Sequence, residues 1–228
     1  LSASYGKGSQ NSTAKDTASK ESTVSAGRTV SIESGKDTDI IGSQVKAEQV
    51  TANVAGNLHI ESEQDSKEYH EEGKQIGASL GYNVASHQLS GFGSAGKSKT
   101  DSHYASVTEQ AGIQAGRDGF DLTVGKETSL KGAVISSTAE KEKNQLTTGT
   151  LSWEDVENKA NYKEGGAGLT INTSKDAKYN EKSIIPAIPT GSKDTGSSTT
   201  NSAIAEGTIV ITDKAHQKQD VSRLNRDS

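Results

Sequence analysis

A short unit recurs along this chain: a glycine, one or two polar residues, then apolar residues at alternate positions. It appears as AGRTVSIESG at 26–35, with Val30 and Ile32, and as AGNLHIES at 55–62, with Leu58 and Ile60. It returns as GFDLTVG at 119–125, with Phe120, Leu122 and Val124, and as GLTINTS at 168–174, with Leu169 and Ile171. The last copy is GTIVITD at 207–213, with Ile209 and Ile211. Period-two patterning after a glycine turn predicts a short strand with one apolar face.

A longer echo frames these units. VSAGRTVSIESGKDTDIIGSQV at 24–45 matches IQAGRDGFDLTVGKETSLKGAVI at 113–135, with one inserted residue near Asp118 and Gly119. Ala26-Gly27-Arg28 meets Ala115-Gly116-Arg117, Ile40 meets Leu130, and Gly42 meets Gly132. Self-similar short strands are the signature of a solenoid. One such strand cannot bury its apolar face alone. If each coil turns back on itself, every strand pairs in parallel with the coils above and below, and inward residues stack in ladders. The fold predicted is all-β: a parallel β-helix with extruded β-hairpin insertions. Ile32, Ile40, Leu58, Ile60, Leu122, Leu130 and Ile171 are the expected inward core.

Two segments interrupt the repeat, near 63–105 and 139–166, and read as strand pairs that leave the coil. They hold Trp153 and Tyr69, Tyr82, Tyr104 and Tyr162. Those rings either cover a coil face or form an exposed contact patch. Residues 184–203 contain both prolines and a Ser/Thr/Gly run, which reads as a linker or long loop. The expected organisation is therefore a β-helix over 1–183, a linker over 184–203, and a last strand and tail over 204–228.

Composition decides between this fold and disorder. Hydrophobic residues are only 29% of the chain, but Ile and Val together number 26 against 10 Leu, and Pro only 2. Net charge is −5, too small to drive disorder by self-repulsion. β-Branched residues suit a pleated, half-buried surface, so a thin-cored β structure fits better. With 25 basic and 30 acidic residues well mixed, no patch points to nucleic acid. No apolar run approaches the ~18 residues of a spanning helix, so no stable membrane span is predicted. The chain has neither Met nor Cys. The first suggests a segment of a longer protein. The second fits an exported chain that must stay unfolded in an oxidising compartment.

Candidate chemistry is sparse. GFGSAGKS at 91–98 satisfies the phosphate-loop pattern, and TIVITD at 208–213 ends in Asp213 like a magnesium-binding strand. The phosphate loop needs a buried strand before it and a helix after it. YNVASHQLS upstream is too polar for the first, and KTDSHYASVTEQAG downstream lacks an apolar helical stripe. His70 with Glu68, Glu71 and Glu72 reads as a solvated charged turn rather than a metal site. Asp37, Asp39 and Glu127 lack the glycine-rich register of a calcium repeat. No catalytic, cofactor-binding or metal-binding residue is predicted, and the chain is not expected to be an enzyme.

AGRTVSIESGKDTDIIGSQVKAEQV and VTEQAGIQAGRDGFDLTVGKETSLKGAVISS resemble the haemagglutinin repeats of two-partner secretion exoproteins. That family includes filamentous haemagglutinins and contact-dependent growth inhibition effectors. The similarity continues through NQLTTGTLSWEDVENKANYKEGGAGLTI, and the ending GTIVITDKAHQKQDVSRLNRDS resembles the stretch leading to the pre-toxin region. The resemblance implies a right-handed β-helix, export through an outer-membrane partner transporter, and a place on the bacterial surface. It implies a stalk or delivery role, with a neighbouring-cell or host surface receptor as a further partner. An adhesin without a toxin, and more remotely a polysaccharide-acting β-helix enzyme, are the alternative readings.

Overall fold

The structure is a computed structural model that describes residues 1–175 and 180–228. It is all-β among the described residues, apart from two 3-10 turns at Lys141–Lys143 and Val221–Arg223. The chain divides into two compact units. Numbered along the sequence, β1 (Ser2–Thr17), β7 (Asp65–Asn83), β8 (Gln88–Ser106), β12 (Val156–Lys175) and β13 (Asn180–Thr200) form one five-stranded sheet in the order β1-β7-β8-β12-β13. The other ten strands form the second unit: β2 (Ser22–Ser25), β3 (Thr29–Ser34), β4 (Thr38–Ile41), β5 (Ser43–Val54), β6 (Leu58–Glu61), β9 (Gly112–Lys131), β10 (Val134–Ser137), β11 (Gln145–Glu154), β14 (Ala203–Ile204) and β15 (Thr208–Ile211).

Every pairing in the ten-stranded unit is parallel, and the pairs fall into layers. Ser22 pairs with Ser43, Thr29 with Gln49 and Thr38 with Leu58, which sets β2-β3-β4 on β5-β6. The next partners lie far along the chain: Gln44 pairs with Gly112, Val50 with Phe120 and Leu58 with Thr128, so β9 forms the third layer. Gly112 then pairs with Val134 and Leu122 with Leu146, which adds β10 and β11 as the fourth. Val134 pairs with Ala203 and Leu146 with Ile209, which adds β14 and β15 as the fifth.

Parallel register places like side chains above one another. Val45, Ile113, Ile135 and Ile204 form one buried ladder, and Ala52, Leu122 and Leu146 a second. Ile40, Ile60 and Leu130 form a third, which Trp153 continues as a partly buried neighbour. Glycine appears at corners where layers meet closely. A Cβ on Gly125 would lie 2.4 Å from the Ala55 carbonyl oxygen, and one on Gly149 would lie 2.2 Å from that of Lys126. Gly42 and Gly132, matched in the sequence echo, both have positive φ, 51° and 56°, where a side chain is strained.

Of the seven aliphatics expected inside, Ile40, Leu58, Ile60, Leu122 and Leu130 are buried in this core, and Ile32 packs against it partly buried. Ile171 is not among them. It sits on β12 in the five-stranded sheet and is 39% exposed. Its alternating pattern is real, but it serves a sheet that is wet on both faces.

Three expected boundaries also move. β1 belongs to the five-stranded sheet, so residues 1–17 are not a coil of the repeat. The second departure begins near Val156, not at 139, because β11 runs through Glu154 in the parallel stack. Residues 184–200 are strand β13 rather than a linker. Ser and Thr suffice there, since neither face needs an apolar side chain, and proline is tolerated at a sheet edge.

The five-stranded sheet is antiparallel. Leu1 and Tyr82 exchange backbone bonds in both directions, 2.9 and 2.7 Å, and Gly8 lies beside Lys74. Gly73, Gly77 and Gly81 face Ser98, Ser94 and Ser90 across the β7–β8 pair. Gly93 faces Ile171 and Gly91 faces Thr173 across β8–β12, while Gly165 lies beside Thr190 and Gly196 beside Ala160 across β12–β13.

The ladders give an expected outcome. Leu122→Ala or Leu146→Ala should destabilise the parallel unit by about 2–5 kcal/mol, the usual cost of truncating a buried Leu. The single tryptophan, Trp153, packs against this core and reports its unfolding by fluorescence. Ile171→Ala should leave that midpoint unmoved.

Candidate functional site

Gly91–Ser98, the phosphate-loop match, lies inside β8 as extended chain. A phosphate loop curls its backbone N–H groups around an anion before a helix; here both flanks continue as strand. Successive side chains alternate between the sheet faces. On one face Gly91, Gly93 and Ala95 therefore lie between Ile76 and Leu80 of β7 and Leu169 and Ile171 of β12. A Cβ on Gly91 would sit 2.7 Å from Thr173 Oγ1 and 3.5 Å from Leu80 Cδ2. The glycines floor a trough between aliphatic ridges, and Ile76 and Leu80 are both 61% exposed beside it.

The opposite face holds a shallow hollow of about 710 Å³. Gly8, Gly73, Gly96 and Gly166 form its floor, with Gln10 and Gln75 among the polar groups around it. Tyr69 and Tyr162 lie on this same face, hydrogen-bonded to Glu71 and Glu164. Tyr69, Tyr82, Tyr104 and Tyr162 all lie on strands of this sheet and are exposed.

The charged clusters resolve into pairs. His70 Nδ1 lies 2.5 Å from Asp101 Oδ1 and its Nε2 lies 3.9 Å from Glu72 Oε1, while alternation puts Glu71 on the other face. Among the described residues no set of three ligating side chains could hold a metal ion. Asp37 is structural: its Oδ1 accepts from the Asn57 backbone N–H at 2.7 Å, and Asn57 Oδ1 accepts from the Glu127 N–H at 3.2 Å. These bonds tie three layers at one corner.

One arrangement escaped the sequence. His59 Nδ1 lies 2.8 Å from Ser129 Oγ, and His59 Nε2 lies 3.1 Å from Glu61 Oε2. Lys131 Nζ donates to Glu61 Oε1 at 2.8 Å and holds that carboxyl below its usual range. The signal was the i, i+2 spacing in both strands, but their register, His59 on Ser129 and Glu61 on Lys131, needed the fold. The Glu61 carboxylate is shared with a lysine and the group lies on an outward sheet face, so it is a cross-strand ladder.

A second cluster gathers Glu21, Glu63, Asp65 and Glu109 around a pocket of about 210 Å³. Burial pushes the Glu21 carboxyl up to about 7, helped by the neighbouring Glu109 and Asp65 and opposed by Lys46.

The tail closes the stack. The fifth layer has no strand beside Leu151–Trp153, and two glutamine side chains take that place. Gln217 Oε1 accepts from the Leu151 N–H at 2.8 Å, and Gln217 Nε2 donates to the Leu151 carbonyl at 2.8 Å. Gln219 does the same for Trp153, at 2.9 and 3.0 Å. Leu224 is buried behind them, and Asn225 bridges to Ala203.

Comparison with known proteins places the chain in a family. A family model described as hemagglutinin repeat matches residues 1–78 and again 70–169. The chain belongs to the hemagglutinin-repeat family. It is 42% identical over 216 residues to Toxin CdiA of Escherichia coli, which covers 91% of this chain and 7% of that protein. It is 39% identical over 213 residues to tRNA nuclease CdiA of Escherichia coli O6:K15:H31 strain 536, covering 91% and 6%. It is 38% identical over 235 residues to Deoxyribonuclease CdiA of Yersinia pseudotuberculosis, covering 99% and 21%. The chain thus spans a small part of the curated relatives it matches. No solved structure matches it.

Each of the two family matches contains two layers of the parallel stack: the first runs from β1 into β7, and the second from within β7 through β8 into β12.

Two outcomes are expected. Between about pH 4.5 and 7 the folded state keeps a proton on Glu21 that the unfolded chain has lost. Stability should fall as pH rises from 4.5 towards 7 and level off above it. Glu21→Gln should flatten that slope and raise the melting temperature at pH 8, measured by thermal unfolding across pH. Gln217→Ala or Gln219→Ala should each destabilise the stack by about 1–3 kcal/mol, because each orphans a backbone N–H and C=O. Gln217→Glu, which accepts but cannot donate, should fall between wild type and Gln217→Ala in Trp153 fluorescence.

Proposed function

We propose that this chain is a stalk and delivery segment of a large exoprotein of a contact-dependent growth inhibition system. Such a protein reaches the bacterial surface through an outer-membrane partner transporter and carries a toxin domain located elsewhere in its length. The observation that carries this reading is the mixture of names among the relatives. A toxin, a tRNA nuclease and a deoxyribonuclease share this stretch at 42%, 39% and 38% identity. A segment common to proteins named for different substrates is not the part that selects the substrate. Its own role is mechanical: reach, and passage of what it carries. A receptor on a neighbouring or host cell would be a partner of the full-length protein.

The parallel unit is read as a right-handed parallel β-helix. Each layer returns to pair in parallel with the one before, and connections between parallel strands are right-handed in ~98% of cases. This fold suits export. It needs no disulfide, metal or cofactor, and each layer adds onto the previous one as chain emerges. Each completed layer buries aliphatics that the unfolded thread exposes, which opposes back-sliding.

The test is a reversible lock. Asn53 and Thr123 are directly paired across two layers, and both are exposed. Asn53→Cys with Thr123→Cys in the full-length protein should stall export under oxidising conditions and release it with reductant, followed by surface labelling. Efficient surface display of the oxidised, cross-linked chain would rule out export as an unfolded thread.

A further inference from the structure

The antiparallel sheet has a repeating grammar. β1, β8 and β13 each lead into the parallel stack, at β2, β9 and β14. β7 and β12 each return from it, after β6 and β11. Two of the three leading strands sit beside a return strand that directly precedes them in the chain: β7 beside β8, and β12 beside β13. Among the described residues β1 pairs only with β7. Leu1-Ser2 and Gly8 also fall at one offset from Leu89-Ser90 and Gly96.

The outer edge of β1 is open in a defined way. In an antiparallel ladder a residue's N–H and C=O point to the same neighbour, and the direction alternates along the strand. Leu1 exchanges bonds with Tyr82, so the odd residues of β1 face β7. Ser2, Ser4, Gly6, Gly8 and Gln10 then direct their backbone groups outward. Natural sheets blunt long edges with proline, bulges or brevity. β13, at the other end of the order, carries Pro186 and Pro189; β1 runs 16 residues without a proline.

We propose that this edge is a docking edge for one more antiparallel strand, a return strand of the β7 type supplied by the chain that precedes Leu1 in the longer protein. The sheet would then grow by one hairpin with each hemagglutinin repeat, in step with two new layers of the parallel stack. This rests on the repeat organisation and not on the secretion reading, so either can fail alone.

The experiment grafts a copy of residues 66–87, β7 with its turn, ahead of Leu1 of this chain. Amide hydrogen exchange is followed residue by residue. The outward amides of Ser4, Gly6 and Gly8 should slow by roughly tenfold or more, while those of Ala3, Tyr5 and Lys7 change little. Gly6→Pro removes an outward donor and leaves the β7 ladder intact. It should abolish the new protection around Gly6 without changing the unfolding of the ungrafted chain. Equal exchange with and without the graft would overturn the proposal. So would a stable dimer of the ungrafted chain that Gly6→Pro dissolves, since the edge would then belong to a second copy.

Discussion

The parallel backbone ladder is the constraint on which the rest depends. A layer such as β9 has no partner of its own; its N–H and C=O groups are met by β5 and β6 on one side and by β10 and β11 on the other. This arrangement fixes register, and register stacks Val45, Ile113, Ile135 and Ile204 into one continuous apolar column. A chain with few hydrophobic residues can fold because each serves two neighbours at once. The same logic makes the ends costly, since an outermost layer has ladder groups with no partner.

The chain deals with its edges by different means. At Leu151–Trp153 the side-chain amides of Gln217 and Gln219 reproduce the bonds that another strand would make. On β13, Pro186 and Pro189 point opposite ways, so one of them leaves an outward position without a donor. β1 has neither device, and Val24, at the first layer, is 59% exposed above a ladder whose lower members are buried. The capped edge has its ladder groups met by side chains, while the open edge leaves them free for another strand.

This scaffold asks little of chemistry and much of topology. The polar groups that looked most like a site serve the scaffold. Asp37, Asn57 and Glu127 bind a corner, and His59, Ser129, Glu61 and Lys131 form a rung on an outer face. Two layers alternate with a sheet hairpin along the chain. This explains why parallel partners lie so far apart in sequence: β5 and β9 are neighbours with the whole β7–β8 excursion between them.

The sequence by itself determined the strands, their turns and which aliphatics align. Period-two patterning is local, and the echo between 24–45 and 113–135 compares like corners, so Ile40 with Leu130 and Gly42 with Gly132 were readable directly. Family membership was legible in the same residues. What only tertiary structure decided was which partner each strand takes. Leu169 and Ile171 alternate as cleanly as Leu58 and Ile60, yet one pair lines an exposed sheet and the other a buried core. The Ser/Thr/Gly run of β13 looked like a loop because nothing in it needed burial, and GFGSAGKS looked like a phosphate loop because glycine spacing is the same in a trough. Alternation states that a strand has two faces. Whether a face meets another layer or water depends on pairing at long range, which no window of sequence contains.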